Sequence, residues 1–132
     1  MLTSLLGEGS SDKADHLITV ARAGRDLPIA PDFFLAECGH ALFRAERRKL
    51  ILPGEARRLI LTIGPDSPEL YPSPPLLRCA AAICGHLRKS FYDCLYMALA
   101  EREQVQLITA DTKLVKAAQP DYPFVVDLAN LP

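Results

Sequence analysis

The sequence predicts an α/β domain built around a mostly parallel sheet, and three observations predict it. Segments with apolar residues at helical spacing alternate with short, β-rich runs along the chain, the pattern of a sheet with helices packed against it. One segment, Ser90 to about Glu103, is apolar on nearly every side over its middle, so it reads as a helix buried in the core rather than one lying on the surface. Two runs after it, Val105-Gln106-Leu107-Ile108-Thr109 and Phe124-Val125-Val126-Asp127-Leu128, are short and rich in β-branched and aromatic residues, as strands are.

The 132 residues suffice for one domain with a real core, and a single domain over 1–132 is expected. With 49% hydrophobic and 23% charged residues the composition is that of a globular protein. The net charge of −1 gives no bulk attraction to nucleic acid or membrane, so any basic surface must be local. The N-terminal residues Met1 to Leu6 do not resemble a signal peptide, and no apolar run approaches the ~20 residues of a membrane span. Four cysteines, two of them (Cys38 and Cys94) in apolar helical stretches, fit a reduced, cytoplasmic protein.

Taken in order, Leu2, Leu5 and Leu6 form a fragment of helical spacing that Gly7 ends. Ser10-Ser11-Asp12 offers N-cap chemistry for a helix to about Ala23, with Ala14, Leu17, Ile18 and Ala21 on one face. Leu27 to Ala30 is a short strand. Asp32 can cap a helix from Phe33 to about Leu50, apolar at its start and basic at its end, where the helix dipole favours cations. A further helix runs from about Gly54 to Ile63. A Pro-rich stretch from Gly64 to Pro75 follows, with an edge strand near Glu69-Leu70-Tyr71, because Pro is tolerated at edges. Leu76 to Leu87 and Ser90 to Glu103 are helices, Val105 to Thr109 a strand, Asp111 to Ala118 a short helix, and Phe124 to Leu128 the last strand.

Three acids stand out against apolar surroundings. Asp93 sits near the start of the buried helix, where a lone charge is costly unless paired, hydrogen-bonded or bound to a cation. Its plainer role is that of a first-turn acid favoured by the helix dipole. Glu37 lies one turn into its helix, between Phe33-Phe34-Leu35-Ala36 and Cys38-Gly39; otherwise it is a solvated side chain or a partner of Arg44. Asp111 follows a strand and opens a helix, an ordinary N-cap, yet also the end of the sheet where open α/β folds place ligands. Clustered carboxylates raise one another's pKa unless a cation neutralises them, and oxygen-only clusters suit Mg2+ and Mn2+. Such a site can activate water and stabilise charge on a phosphodiester.

With these residues the chain resembles the PIN-domain ribonucleases, in particular the VapC-type toxins of bacterial toxin–antitoxin pairs. Three blocks carry the resemblance: Ala30-Pro31-Asp32-Phe33-Phe34-Leu35-Ala36-Glu37, Tyr92-Asp93-Cys94-Leu95-Tyr96-Met97-Ala98-Leu99-Ala100, and Leu107-Ile108-Thr109-Ala110-Asp111-Thr112-Lys113-Leu114. Their order and spacing match, over about Leu5 to Leu128. The resemblance implies a three-layer α/β/α domain with a mostly parallel sheet whose acids converge at the strands' C-terminal ends. It implies a metal-dependent endoribonuclease using Mg2+ or Mn2+, with Glu37, Asp93 and Asp111 as catalytic and metal-binding acids. Asp93 would be the foremost direct ligand, Glu37 and Asp111 would bind directly or through water, and Thr109 would support the site. RNA as substrate, a cognate antitoxin and a homodimer are the implied partners. One departure stands out. The family's first, central strand and its terminal Asp have no counterpart ahead of Glu8, so that strand is expected to be absent and the domain truncated at its N-terminus relative to the family. An upstream start, a catalytically inactive relative that keeps its antitoxin or dimer surfaces, and another segment filling the gap are the alternatives.

Other signals are weaker. The triplets Cys38-Gly39-His40 and Cys84-Gly85-His86 lack the spacing of a zinc site. Arg44, Arg47, Arg48, Lys49, Arg88, Lys89 and Lys113 are candidates for holding RNA phosphates, with solvated helix ends as the plainer reading. A structural domain without nuclease ancestry, its acids acting as caps and surface groups, is the third possibility.

Overall fold

The computed structural model of the chain describes residues 19–21 and 28–130. Five strands form one sheet: β1 (Thr19–Ala21), β2 (Pro28–Pro31), β3 (Glu69–Tyr71), β4 (Gln106–Thr109) and β5 (Val125–Asp127), in the spatial order β3-β2-β1-β4-β5. The helices against it are α1 (Phe34–Arg47), α2 (Glu55–Ile63), α3 (Leu77–Leu87), α4 (Phe91–Glu103) and α5 (Thr112–Ala118). This is the expected α/β architecture. The β2–β3 pair is parallel, as is the β4–β5 pair.

The centre of the sheet differs from expectation. Thr19–Ala21 is a strand, not the last turns of a helix, and it lies between β2 and β4, antiparallel to both, with Val20 opposite Ile29 on one side and Leu107 on the other. Antiparallel pairing on both sides leaves β2, β3, β4 and β5 pointing the same way, so their C-terminal ends share one edge of the sheet. The physical reason is a competition that local spacing cannot decide. Thr and Val are β-branched and favour extended backbone, and the facing edges of β2 and β4 carry backbone N–H and C=O groups that need partners. The expected helical fragment at Met1 to Leu6 and the start of the helix from Ser10 lie outside the described residues.

Helix α4 is the core element. Asp93 to Ala100 are eight consecutive buried residues, and the helix touches β2, β4 and α3 together. Ser90 starts it: its hydroxyl accepts a 3.0 Å hydrogen bond from the Asp93 backbone N–H. Gln104 ends it in the left-handed conformation, φ 56°. Tyr96, Met97, Leu99 and Leu107 are fully buried with Phe34, Ile29 and Leu42. Truncating a side chain such as Leu99 to Ala would cost about 2–5 kcal/mol, because both the transfer energy and the cavity count against it.

Helices α1 and α2 pack against each other, and one side chain pins the start of α2 to α1. Glu46 Oε1 accepts from the backbone N–H groups of Gly54 (3.1 Å) and Ala56 (3.0 Å), which the first turn of α2 leaves without intrahelical partners. Gly54 itself sits at φ 86°, a conformation that a side chain would strain. Helix α1 stops at Arg47, short of the expected Leu50, because Lys49 turns into the left-handed region at φ 63°.

Candidate active site

The shared C-terminal edge of the strands gathers the polar residues that follow them. After β2, Asp32 receives hydrogen bonds from the backbone N–H and hydroxyl of Ser73, which follows β3. Those bonds hold the Asp32 carboxyl below its usual range and tie two strand ends together. After β4, Thr109 is buried, and its hydroxyl oxygen accepts from the Asp111 backbone N–H at 3.0 Å. Asp111 then caps α5: its Oδ1 accepts from the N–H groups of Lys113 and Leu114, both at 3.1 Å. The capping role that the sequence allows for Asp111 is therefore realised, and Thr109 orders the turn that delivers it.

Glu37 and Asp93 come together. Helix α1 begins directly after β2, which places Glu37 in its first turn, while Ser90 starts α4 so that Asp93 falls in its first turn. Asp93 is only 6% exposed. Glu37 does not pair with Arg44; its Oε1 accepts a 2.8 Å hydrogen bond from the Tyr96 hydroxyl. Burial pushes the Glu37 carboxyl up to about 7 from an ordinary 4.5; the Tyr96 bond works against that rise and the negative charge of Asp93 adds to it. Two acids far apart in sequence thus lie near enough to feel each other's charge in a partly dry setting, where a proton or a cation relieves the repulsion. The Tyr96 phenol, buried and facing Glu37 and Asp93, is itself pushed well up.

Tyr96 is the site residue that sequence reasoning missed. A signal was present: Tyr96 lies three residues after Asp93, a spacing that puts both on one face of a helix. Its ring is clasped edge-on by Phe33 (centroids 5.5 Å apart), and Phe33 also meets the Tyr92 ring at 5.0 Å. Phe33 immediately precedes α1, so this contact fixes the start of α1 against the start of α4.

The donor set suits a hard divalent cation in kind, since the converging groups are carboxylate oxygens. It falls short in number. Among the described residues, no three His, Cys, Asp or Glu side chains form a group that could hold a metal ion. Glu37 and Asp93 supply two acids, and Asp111 is engaged as a helix cap. Of the basic candidates, Arg88 and Lys89 directly precede Ser90 and so lie at the same end of α4 as Asp93. Arg47 lies about 15 Å along α1 from Glu37, away from the acids. None of the four free cysteines is in a metal-holding group among the described residues: Cys38 and Cys94 are buried, and the Cys84 thiol donates to the Lys89 carbonyl at 3.2 Å.

Comparison with known proteins places this geometry. The family model described as "PIN domain" matches residues 2–120. Ribonuclease VapC1 of Mycobacterium tuberculosis is 36% identical over 131 residues, covering 98% of this chain and 92% of the relative, in strain CDC 1551 / Oshkosh and equally in strain ATCC 25618 / H37Rv. A family match over most of the chain, a relative aligned nearly end to end, and the α/β fold with its paired acids agree: the chain belongs to the PIN-domain family, as a VapC-type member.

Proposed function

We propose that this chain is a metal-dependent endoribonuclease, the toxin of a toxin–antitoxin pair, with Glu37, Asp93 and Asp111 as its site acids. The observation that carries the reading is the half-buried Glu37 carboxyl, held by Tyr96 and close enough to the buried Asp93 to be raised by its negative charge, a repulsion that a divalent cation would relieve. The relative named Ribonuclease VapC1 supports RNA as the substrate class. A bound Mg2+ or Mn2+ would lower the pKa of a water and offset charge on the phosphodiester.

The chain's own residues then have distinct roles. Asp93, fixed by the Ser90 cap and by burial, gives the pair a rigid wall. Tyr96 holds Glu37 in one orientation. Glu37 would help hold the cation beside the attacking water. Water adds to phosphorus, the bond to the leaving ribose oxygen breaks, and that oxygen takes up a proton. Asp111 and Thr109 form the other side of the site at the end of β4. A cognate antitoxin and a second copy of the chain are the proposed partners, for which the exposed Leu52 and Leu61 of the α1–α2 region are available apolar surface.

A second reading, a catalytically inactive member that keeps its binding surfaces, draws on one observation: Asp111 is engaged as a helix cap, and no three-acid metal group forms among the described residues. Cleavage of a labelled RNA with Mg2+ or Mn2+, with and without EDTA, separates the two. Metal-dependent cleavage that Asp93→Asn abolishes supports the enzyme; no cleavage under any metal condition supports the inactive member.

A further inference from the structure

The exposed aromatic residues beside the acid pair remain unexplained by the reaction. Phe33, Tyr92 and Tyr96 form a short ladder of edge-on rings, 5.0 and 5.5 Å apart, running outward from Glu37. Its inner member, Tyr96, is 1% exposed and bonds Glu37. Its outer member, Tyr92, is 58% exposed, and Phe91 beside it is 40% exposed. A tilted contact with Phe33 occupies at most one face of the Tyr92 ring, so the contact holds the ring while leaving stacking surface open. Two adjacent exposed aromatic residues just ahead of the buried run Asp93 to Ala100 are not needed to close the core.

Two cations stand close to this ring in the chain. Arg88 is exposed and sits in the left-handed conformation, φ 59°, at the end of α3, with Lys89 next in sequence. Both directly precede Ser90, so two cations and two aromatic residues stand in a six-residue run that ends at Asp93. The chain as a whole carries −1 and offers no bulk attraction to a polyanion, so a substrate must be held locally, by cations on its phosphates and rings on its bases.

We propose that Tyr92 is a stacking platform for an unpaired RNA base next to the cleaved phosphate, with Arg88 and Lys89 holding a neighbouring phosphate. The subsite rests on the ribonuclease reading and requires the stacked base to be unpaired, since a base within a duplex offers no free face.

The test is binding, measured without divalent metal so that cleavage plays no part. Fluorescence anisotropy of a short labelled single-stranded RNA in EDTA is followed for the full chain and for Tyr92→Phe and Tyr92→Leu, with thermal unfolding as a check on folding. Tyr92→Phe should bind within about twofold of the wild type, and Tyr92→Leu should bind weaker by about tenfold or more, the size expected for one stacked base. An abasic RNA of equal charge should lose a similar factor against the wild type and lose little further against Tyr92→Leu. This second comparison needs no aromatic variant to remain well folded in order to be read from the wild type. Equal RNA affinity of the wild type and Tyr92→Leu, or of base-bearing and abasic RNA, overturns the subsite alone. If Tyr92→Leu instead weakens only association with a protein partner, the rings are a protein-docking surface and the proposal is likewise overturned. A wild-type chain that neither binds RNA here nor cleaves it with metal overturns the subsite and the ribonuclease reading together.

Discussion

The Tyr96 hydroxyl donates a 2.8 Å hydrogen bond to the Glu37 carboxylate, joining the first turn of α1 to the second turn of α4. This bond is a counterweight. Burial and Asp93 make the charge on Glu37 unfavourable, and the phenol is the group that restores part of what is lost. Removing it should raise the Glu37 pKa further. Tyr96→Phe keeps the ring and its contact with Phe33, so the change isolates the hydroxyl. The expected loss of stability is about 1–3 kcal/mol. It should be larger at about pH 8, where Glu37 is ionised, than at about pH 5.5, where it is protonated. Urea unfolding midpoints at the two pH values check this; an equal loss at both would mean that the bond does not serve the ionised form.

The raised pKa of Glu37 has a defined consequence for stability. Its folded value of about 7 lies above the ordinary 4.5, so the folded chain binds the proton more tightly than the unfolded chain does. The resulting stabilisation is fully present below about 4.5 and is lost as pH rises through about 7. Glu37→Gln removes the titration. Relative to the wild type, this variant should gain stability across that window, by an amount on the order of 2 kcal/mol at the upper end. Parallel stability–pH profiles for the two chains would refute the raised pKa of Glu37.

Asp111 allows capping and chemistry to be separated. Asp111→Ala should cost about 1 kcal/mol through loss of the α5 cap, whereas Asp111→Asn retains an oxygen for the Lys113 and Leu114 N–H groups and should stay within about 0.5 kcal/mol of the wild type. On the proposed function, Asp111→Asn nevertheless loses most RNA cleavage. Thermal unfolding and a cleavage assay on the same preparations decide this; full activity of Asp111→Asn would make Asp111 a cap and nothing more.

What the sequence makes legible follows from which forces are local. Helix α4 was readable because no Gly or Pro interrupts it and no charged residue falls between Cys94 and Ala100, and the same run marked Asp93 as a misplaced charge. The strand β4 and the cap at Asp111 were readable for a similar reason: the turn chemistry lies within three residues. Thr19–Ala21 was not, because Ala14, Leu17, Ile18 and Ala21 have helical spacing, and what favours the strand is the need of β2 and β4 for partners, which no local window contains. Glu37 was readable as a candidate but not its partner, since the choice between Arg44 on its own helix and Tyr96 on another depends on how α1 docks. The basic end of α1 was no guide to the site, because helix length carries Arg47 away from Glu37.

On the proposed function, Glu37 and Asp93 hold a divalent cation with Asp111, and titration of Mn2+ into the full chain by calorimetry at about pH 7 tests this most directly. The expected result is a wild-type chain that binds Mn2+ with release of protons, because the Glu37 carboxyl is part-protonated there and must ionise to serve as a ligand. Asp93→Asn and Glu37→Gln should each weaken that binding by about tenfold or more. Mn2+ affinity that is the same in all three chains, or no binding by the wild type, would contradict it.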